Sequence, residues 1–288
     1  MKLASFLEGA DTVYGVVVDH GDDAGIISVD AEFRARFRSI RSLLERDGLG
    51  ELRERVAGRT PDRALDDISY RPPLHDAEKV ICIGVNYAKR HPVHGVIPPP
   101  ENITLFGKFE GAVVGHDEPL HYPPPPACDT FDYEGELVLV IGREGRHIAK
   151  PDVFDHIAGY TIMNDGSVRD WQKHSVPAGK NFFASSSCGP WMVTADEIGD
   201  PSAMRLSTRL NGEEVQSTTA AAMIFDIPTI VAYVSTFIHL KPGDIISTGS
   251  PEGSGGSRQP QRFLKVGDEL EIEWSGIGTL RNRVEAAT

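Results

Sequence analysis

The chain has 288 residues, a formal charge of −13, 40% hydrophobic and 25% charged residues. That is the composition of an ordinary globular protein with room for a large core, and its negative charge opposes nonspecific binding to nucleic acid or to an anionic membrane. No apolar run approaches the ~20 residues that cross a bilayer.

Residues 1–8 meet an acid too early for a signal peptide. The cysteines Cys82, Cys128 and Cys188 are odd in number and far apart, which suits buried thiols in a reducing cytoplasm better than a disulfide framework or a zinc site. Residues 1–75 read as a small N-terminal α+β domain. Strands are predicted over 12–19 and 25–29, with Gly21-Asp22-Asp23 as the turn. Phe33, Phe37, Ile40, Leu43 and Leu44 recur at helical spacing and predict one helix, stopped by Asp47-Gly48. The polar stretch 50–70 leads into Arg71-Pro72-Pro73, read as a linker.

Residues 76–288 form the second predicted domain. Lys79 to Val85 is an apolar run suited to a buried strand, and it empties into a polar, proline-broken loop over 86–95. A strand over 103–109 carries Lys108, and the prolines 123–126 make a rigid extended spacer. An acidic strand follows from Asp132, and an apolar strand over 157–164 runs out into Asp165. A short helix is expected over 166–172 and a hairpin over 205–216 around Asn211-Gly212. Pro228 to Leu240 reads as an apolar helix, and a last hairpin joins 266–274 to 276–284. Many short strands and few helices predict a mainly β fold of the α+β class.

The informative stretch is Asp132-Tyr133-Glu134-Gly135-Glu136. Side chains in a strand alternate faces, so Glu134 and Glu136 point the same way. Either they are the solvated edge of a strand and Asp165 caps a turn, or the three are oxygen ligands for a hard divalent cation. The glycines of 249–256 lack the Lys-Ser/Thr ending of a nucleotide loop, and are read instead as letting the backbone approach a small ligand.

Taken together, Ile83-Gly84-Val85-Asn86-Tyr87, Asp132 to Glu136, Asn164 to Gln172, Gly179-Lys180-Asn181-Phe182, Leu210 to Glu213, Lys241 to Asp244 and Thr248 to Gly253 resemble, in order and spacing, the fumarylacetoacetate hydrolase family. The resemblance implies a rolled β-sheet catalytic domain, a homodimer, and Mg²⁺ or Mn²⁺ held by Glu134, Glu136 and Asp165. Gln172 and Lys180 match positions that touch the substrate's carboxylate and oxo oxygens, with Lys180 also catalytic. Lys108 matches a substrate-facing lysine, and Ser250 stands where many relatives place a substrate-binding threonine. The family's usual catalytic histidine position holds Arg90 here. His91 or His94 is then the candidate base, histidine being suited to proton transfer near neutral pH.

The implied partner is a small 2-oxo acid. Its carboxylate and oxo oxygen would chelate the cation, which would stabilise an enolate as a C–C bond breaks. The first expectation is a hydrolase of an acylpyruvate-like 2,4-dioxo acid, in the catabolism of aromatic compounds or sugar acids. Oxaloacetate decarboxylation and hydroxydienedioate isomerisation are the alternatives on the same site, and a non-catalytic binding protein is a third. Arg169 and Asp170 are read as either supporting the site or forming a structural ion pair, and Trp171 and Phe182 as packing.

Overall fold

The β-branched runs of the sequence converge on one sheet of eleven strands. The computed structural model describes residues 1–18, 24–88, 90–91, 95–96 and 98–287, without the side chains of 90, 91, 95, 96 and 128. Across the sheet the order is Gly25–Ser28, Asp11–Val18, Lys2–Glu8, Ser186–Thr194, Ile157–Asn164, Gly135–Ile141, Ile245–Ser247, Val80–Gly84 and Thr104–Gly107, with two short strands alongside. The central strand Gly135–Ile141 is buried at every residue, and its apolar run from Leu137 to Ile141 is the pattern of a strand covered on both faces.

A second sheet of five strands packs against this one. Its order is Leu120–Tyr122, Gly278–Ala286, Glu269–Trp274, Arg205–Leu210 and Glu213–Thr219. Here the alternation is strict: Leu270, Ile272 and Trp274 point inward while Glu269, Glu271 and Glu273 do not. The Asn211-Gly212 turn has φ of +53° and +79°, the left-handed pair that a two-residue hairpin needs. The two sheets approach closely at Gly135, where a Cβ would stand 2.4 Å from Thr208 Oγ1. Only a residue without a side chain fits there.

Three features of the first 75 residues differ from the sequence expectation. Lys2–Glu8 is a strand, paired over its full length with Asp11–Val18 and also with Ser186–Thr194. The single helix is two helices, Ala31–Arg36 and Ile40–Glu45. Phe37 leaves the helical region at φ −126°, and the Ser39 hydroxyl accepts from Ser42 N to begin the second. Both helices still bury Phe33, Phe37, Ile40, Leu43 and Leu44, so the apolar spacing reported the face but not the break. The start of the expected linker is a third helix, Leu49–Val56, anchored by buried Leu52. The expected turn at 21–23 lies outside the described residues. Farther on, the expected 228–240 helix is Ile227–Phe237, and Asp226 caps it by accepting from Thr229 N at 2.8 Å.

Register positions the site. Gly135–Ile141 runs antiparallel to Ile157–Asn164, with Gly135 opposite Asn164 and Glu136 opposite Met163. The start of one strand therefore meets the end of the other. Asp165 N closes the pair by donating to Glu134 O at 2.8 Å.

Candidate metal centre

Glu134, Glu136 and Asp165 come together, although the expected single strand from Asp132 is two, Phe131–Asp132 and Gly135–Ile141, and Glu134 lies between them. One carboxylate oxygen of each lies within 4.8 Å of the others, and all three residues are buried. The reading of a solvated strand edge is thus corrected: Glu136 and Asp165 are each 1% exposed. Burying three acids is unfavourable unless positive charge joins them.

Cations of the chain itself supply part of it. Lys180, the last residue of the helix Val176–Lys180, donates to Asp165 Oδ2 at 2.6 Å and to Glu134 Oε2. Burial works against its charged form, but Asp165 and Glu134 outweigh burial and hold its pKa above the usual lysine value. Lys108 Nζ is 2.6 Å from Asp165 Oδ1, and it also donates to Ser186 Oγ at 2.8 Å and to Lys180 O. Its ammonium is therefore turned to protein acceptors. Arg169 Nη2 donates to Glu134 Oε1 at 2.9 Å and its Nε to Asp132 Oδ2 at 2.7 Å. Arg169 Nη1 reaches Gln172 Oε1 at 3.2 Å. Asp170, by contrast, pairs with Lys173 in solvent.

Glu136 is left over. Its Oε2 accepts from Ser247 Oγ at 2.5 Å and from Gly249 N at 3.0 Å, and no lysine or arginine among the described residues forms an ion pair with it. Burial first, and the Asp165 and Glu134 charges second, push its pKa up to about 8. A carboxylate that resists ionising beside two others is the electrostatic signature of a place for a cation. The donor set is all oxygen, which suits Mg²⁺ or Mn²⁺, so the residues fit the expected metal.

The triad forms the floor of a cavity of about 170 Å³, which Arg169, Gln172, Lys180 and Ser250 also line. Ile83, Val85, Phe106 and Val176 supply its apolar side. A larger depression of about 430 Å³ borders Lys108, His75 and Cys188 but contains none of the triad. Six of the predicted site residues, Glu134, Glu136, Asp165, Gln172, Lys180 and Ser250, thus share one cavity, whereas Lys108 lies behind Asp165. His94 and the side chain of His91 lie outside the described residues. Trp171 and Phe182 stack edge to face at 5.3 Å against the core. Burial pushes the Cys188 thiol up to about 12 and the Cys82 thiol well above its usual value, so both are inert.

Sequence reasoning missed Asp132. It is fully buried and accepts from Tyr133 N (2.9 Å), Gly255 N (2.6 Å), Gly256 N (2.9 Å) and Arg169. The glycines of 249–256 allow close approach of their backbone to Glu136 and Asp132. Gln216 was missed too. It accepts from Gly135 N at 2.9 Å and donates to Pro251 O at 3.1 Å, tying the small sheet to the site. Its only sequence signal was its place in a hairpin.

Gly166 tests the floor's rigidity, because a Cβ there would stand 1.7 Å from Ser185 O. Gly166→Ala is expected to displace Asp165 and to weaken Mn²⁺ binding by about tenfold or more, with a lower melting temperature. Calorimetric titration and thermal unfolding check both.

The family profile described as fumarylacetoacetate (FAA) hydrolase, C-terminal, matches residues 79–285. An oxaloacetate tautomerase, mitochondrial, of Rattus norvegicus is 35% identical, covering 93% of this chain and 87% of that protein. Among solved structures, a fumarylacetoacetate hydrolase from psychrophilic Exiguobacterium antarcticum aligns with a TM-score of 0.83 at 30% identity over 100% of both chains. Maleylpyruvate hydrolase from Sphingobium sp. SYK-6, in complex with manganese(II) ion and pyruvate, aligns with a TM-score of 0.80 at 26% identity over 100% of both. Among the described residues no helix is long and apolar enough to cross a membrane.

Proposed function

This chain belongs to the fumarylacetoacetate hydrolase family, a family of enzymes, and from its site we propose that it is a Mg²⁺- or Mn²⁺-dependent enzyme that interconverts the enol and keto forms of a small 2-oxo acid, oxaloacetate foremost. Glu134, Glu136 and Asp165 hold the metal in this reading. The metal, when bound, polarises the chelated 2-oxo carboxylate.

The observation that carries the proposal is Lys180. The residue is 3% exposed, its ammonium is held charged between Glu134 and Asp165, and it lines the cavity. A fixed positive charge there stabilises the negative charge that develops on the 2-oxo oxygen as a proton leaves the neighbouring carbon. It is already oriented, so no reorganisation is needed at the moment of reaction. Gln172 and Ser250 present hydrogen-bonding groups to the substrate carboxylate from the same cavity. Arg169 keeps Glu134 and Gln172 in place. Lys108 holds Asp165 from behind. The proton carrier is His91 or His94.

Oxaloacetate is preferred because the tautomerase relative matches over most of both chains. Hydrolysis of an acylpyruvate-like 2,4-dioxo acid is the second reading, favoured by the likeness to a hydrolase solved with manganese and pyruvate. Lys180 would serve it equally, since the departing pyruvate carries the same enolate charge.

The proposal includes a homodimer, a cytoplasmic location, and a division into residues 1–75 and 76–288.

The test strips the protein of metal and then adds Mg²⁺ or Mn²⁺. Enol-oxaloacetate ketonisation is expected to return, with acetylpyruvate cleaved more slowly. Cleavage of acetylpyruvate alone would move the assignment to the hydrolase, and no metal-restored turnover of either would overturn both. In the same assay the variant of the true base, His91→Ala or His94→Ala, is expected to lose ~10²-fold or more.

A further inference from the structure

Val85 sits in the left-handed region at φ +52°. Among the described non-glycine residues of positive φ it is the only β-branched one, and for a β-branched side chain that region is a steric outlier. Such a backbone persists where its surroundings over-determine it. Here they do. On one side Ile83 and Gly84 are fixed in a strand against Thr104–Gly107. On the other, Asn86 is fully buried. Its Nδ2 donates to Thr248 O at 2.8 Å and Phe225 O at 3.1 Å, its Oδ1 accepts from Phe225 N at 2.8 Å, and its carbonyl accepts from Ile224 N at 2.8 Å.

The clamp explains how the strain is sustained but not why valine is there. Val85 is 43% exposed, so core packing does not account for its isopropyl group. What it does touch is the cavity. Val85 lines it, as does Val176, 38% exposed, the first residue of the helix that ends in Lys180. These are the two most exposed apolar residues of the lining, whereas Glu134, Glu136, Asp165 and Lys180 are buried.

We propose that Val85, with Val176, is the specificity-determining rim of the site, admitting 2-oxo acids whose chain beyond the oxo group is short and unbranched. This rests on the function proposed above, in which the floor takes the oxo-carboxylate end. The remainder of the substrate must then leave past the rim. An isopropyl group on a backbone that cannot rotate away sets a fixed limit on its width. One extra methyl group against such a wall changes affinity by about tenfold or more.

The experiment is calorimetric titration of the full-length, Mn²⁺-loaded protein with oxalate, 2-oxobutyrate and 4-methyl-2-oxopentanoate. Wild type is expected to bind the branched acid at least about tenfold more weakly than 2-oxobutyrate. In Val85→Gly, which relieves the backbone strain, that gap is expected to close to about threefold while oxalate affinity stays within about twofold. Val85→Ala should fall between. An unchanged gap in both variants, or no gap in wild type, overturns the role of Val85 while oxalate still binds. Failure of wild type to bind oxalate overturns the function proposed for the site and this inference with it.

Discussion

Glu136→Gln is expected to give a folded protein that binds Mn²⁺ about 100-fold or more weakly, with a matching loss of metal-restored activity. The substitution keeps the shape of the side chain and removes the one acid of the floor that no basic side chain among the described residues pairs with. Its second consequence concerns pH. The ordinary carboxyl value of 4.5 is raised to about 8 in the folded, metal-free chain. Between those values the folded state retains a proton that the unfolded state has released. Metal-free wild type should therefore lose stability as pH rises from 5 to 8, by an amount on the order of a few kcal/mol from this group. The variant has nothing to titrate there, so its stability should fall less over the same window. Thermal unfolding at several pH values, with and without Mn²⁺, reads both effects. An equal Mn²⁺-induced rise in melting temperature for the two proteins would remove Glu136 from the metal site.

Asp132→Ala is expected to have the larger effect on folding. It removes a buried acceptor of three backbone N–H groups and leaves Arg169 held only by Glu134 and Gln172. Breaking a buried pair of this kind costs about 3–5 kcal/mol, or roughly 10 °C in melting temperature for a chain of this size. Asp170→Ala is the control, since its partner Lys173 is exposed and the pair is worth at most ~0.5 kcal/mol. Urea unfolding of the two variants side by side decides the matter. Comparable losses would mean that Asp132 is no anchor.

What could be read from the sequence follows the range of the interaction. Glu134 and Glu136 are two residues apart at the start of one strand and so stay close, and Asn211-Gly212 turns because of its own backbone preference. Both are local. The placing of Asp165 beside the glutamates needed only that one strand start where another ends. Asp132, however, takes its role from glycines more than 120 residues away, with nothing nearby to distinguish it from an ordinary strand acid. The surroundings of Lys108 could not be read from its strand alone. Its actual acceptors lie on three other segments, at Asp165, Lys180 and Ser186. The break between the first two helices was invisible for the opposite reason. Apolar spacing carries on through Phe37 and Ile40 because both sides of the break bury the same face.

Gly135 has a bearing on design. The residue between the two glutamates has no space for a side chain because Thr208, from the small sheet, occupies it. Gln216 of the same sheet accepts from its N–H. A graft of the small sheet from another lineage would have to respect both neighbours or lose the spacing of the acids. A library that shuffles the two sheets at their boundary should therefore recover active chains only where Gly135, Thr208 and Gln216 travel together.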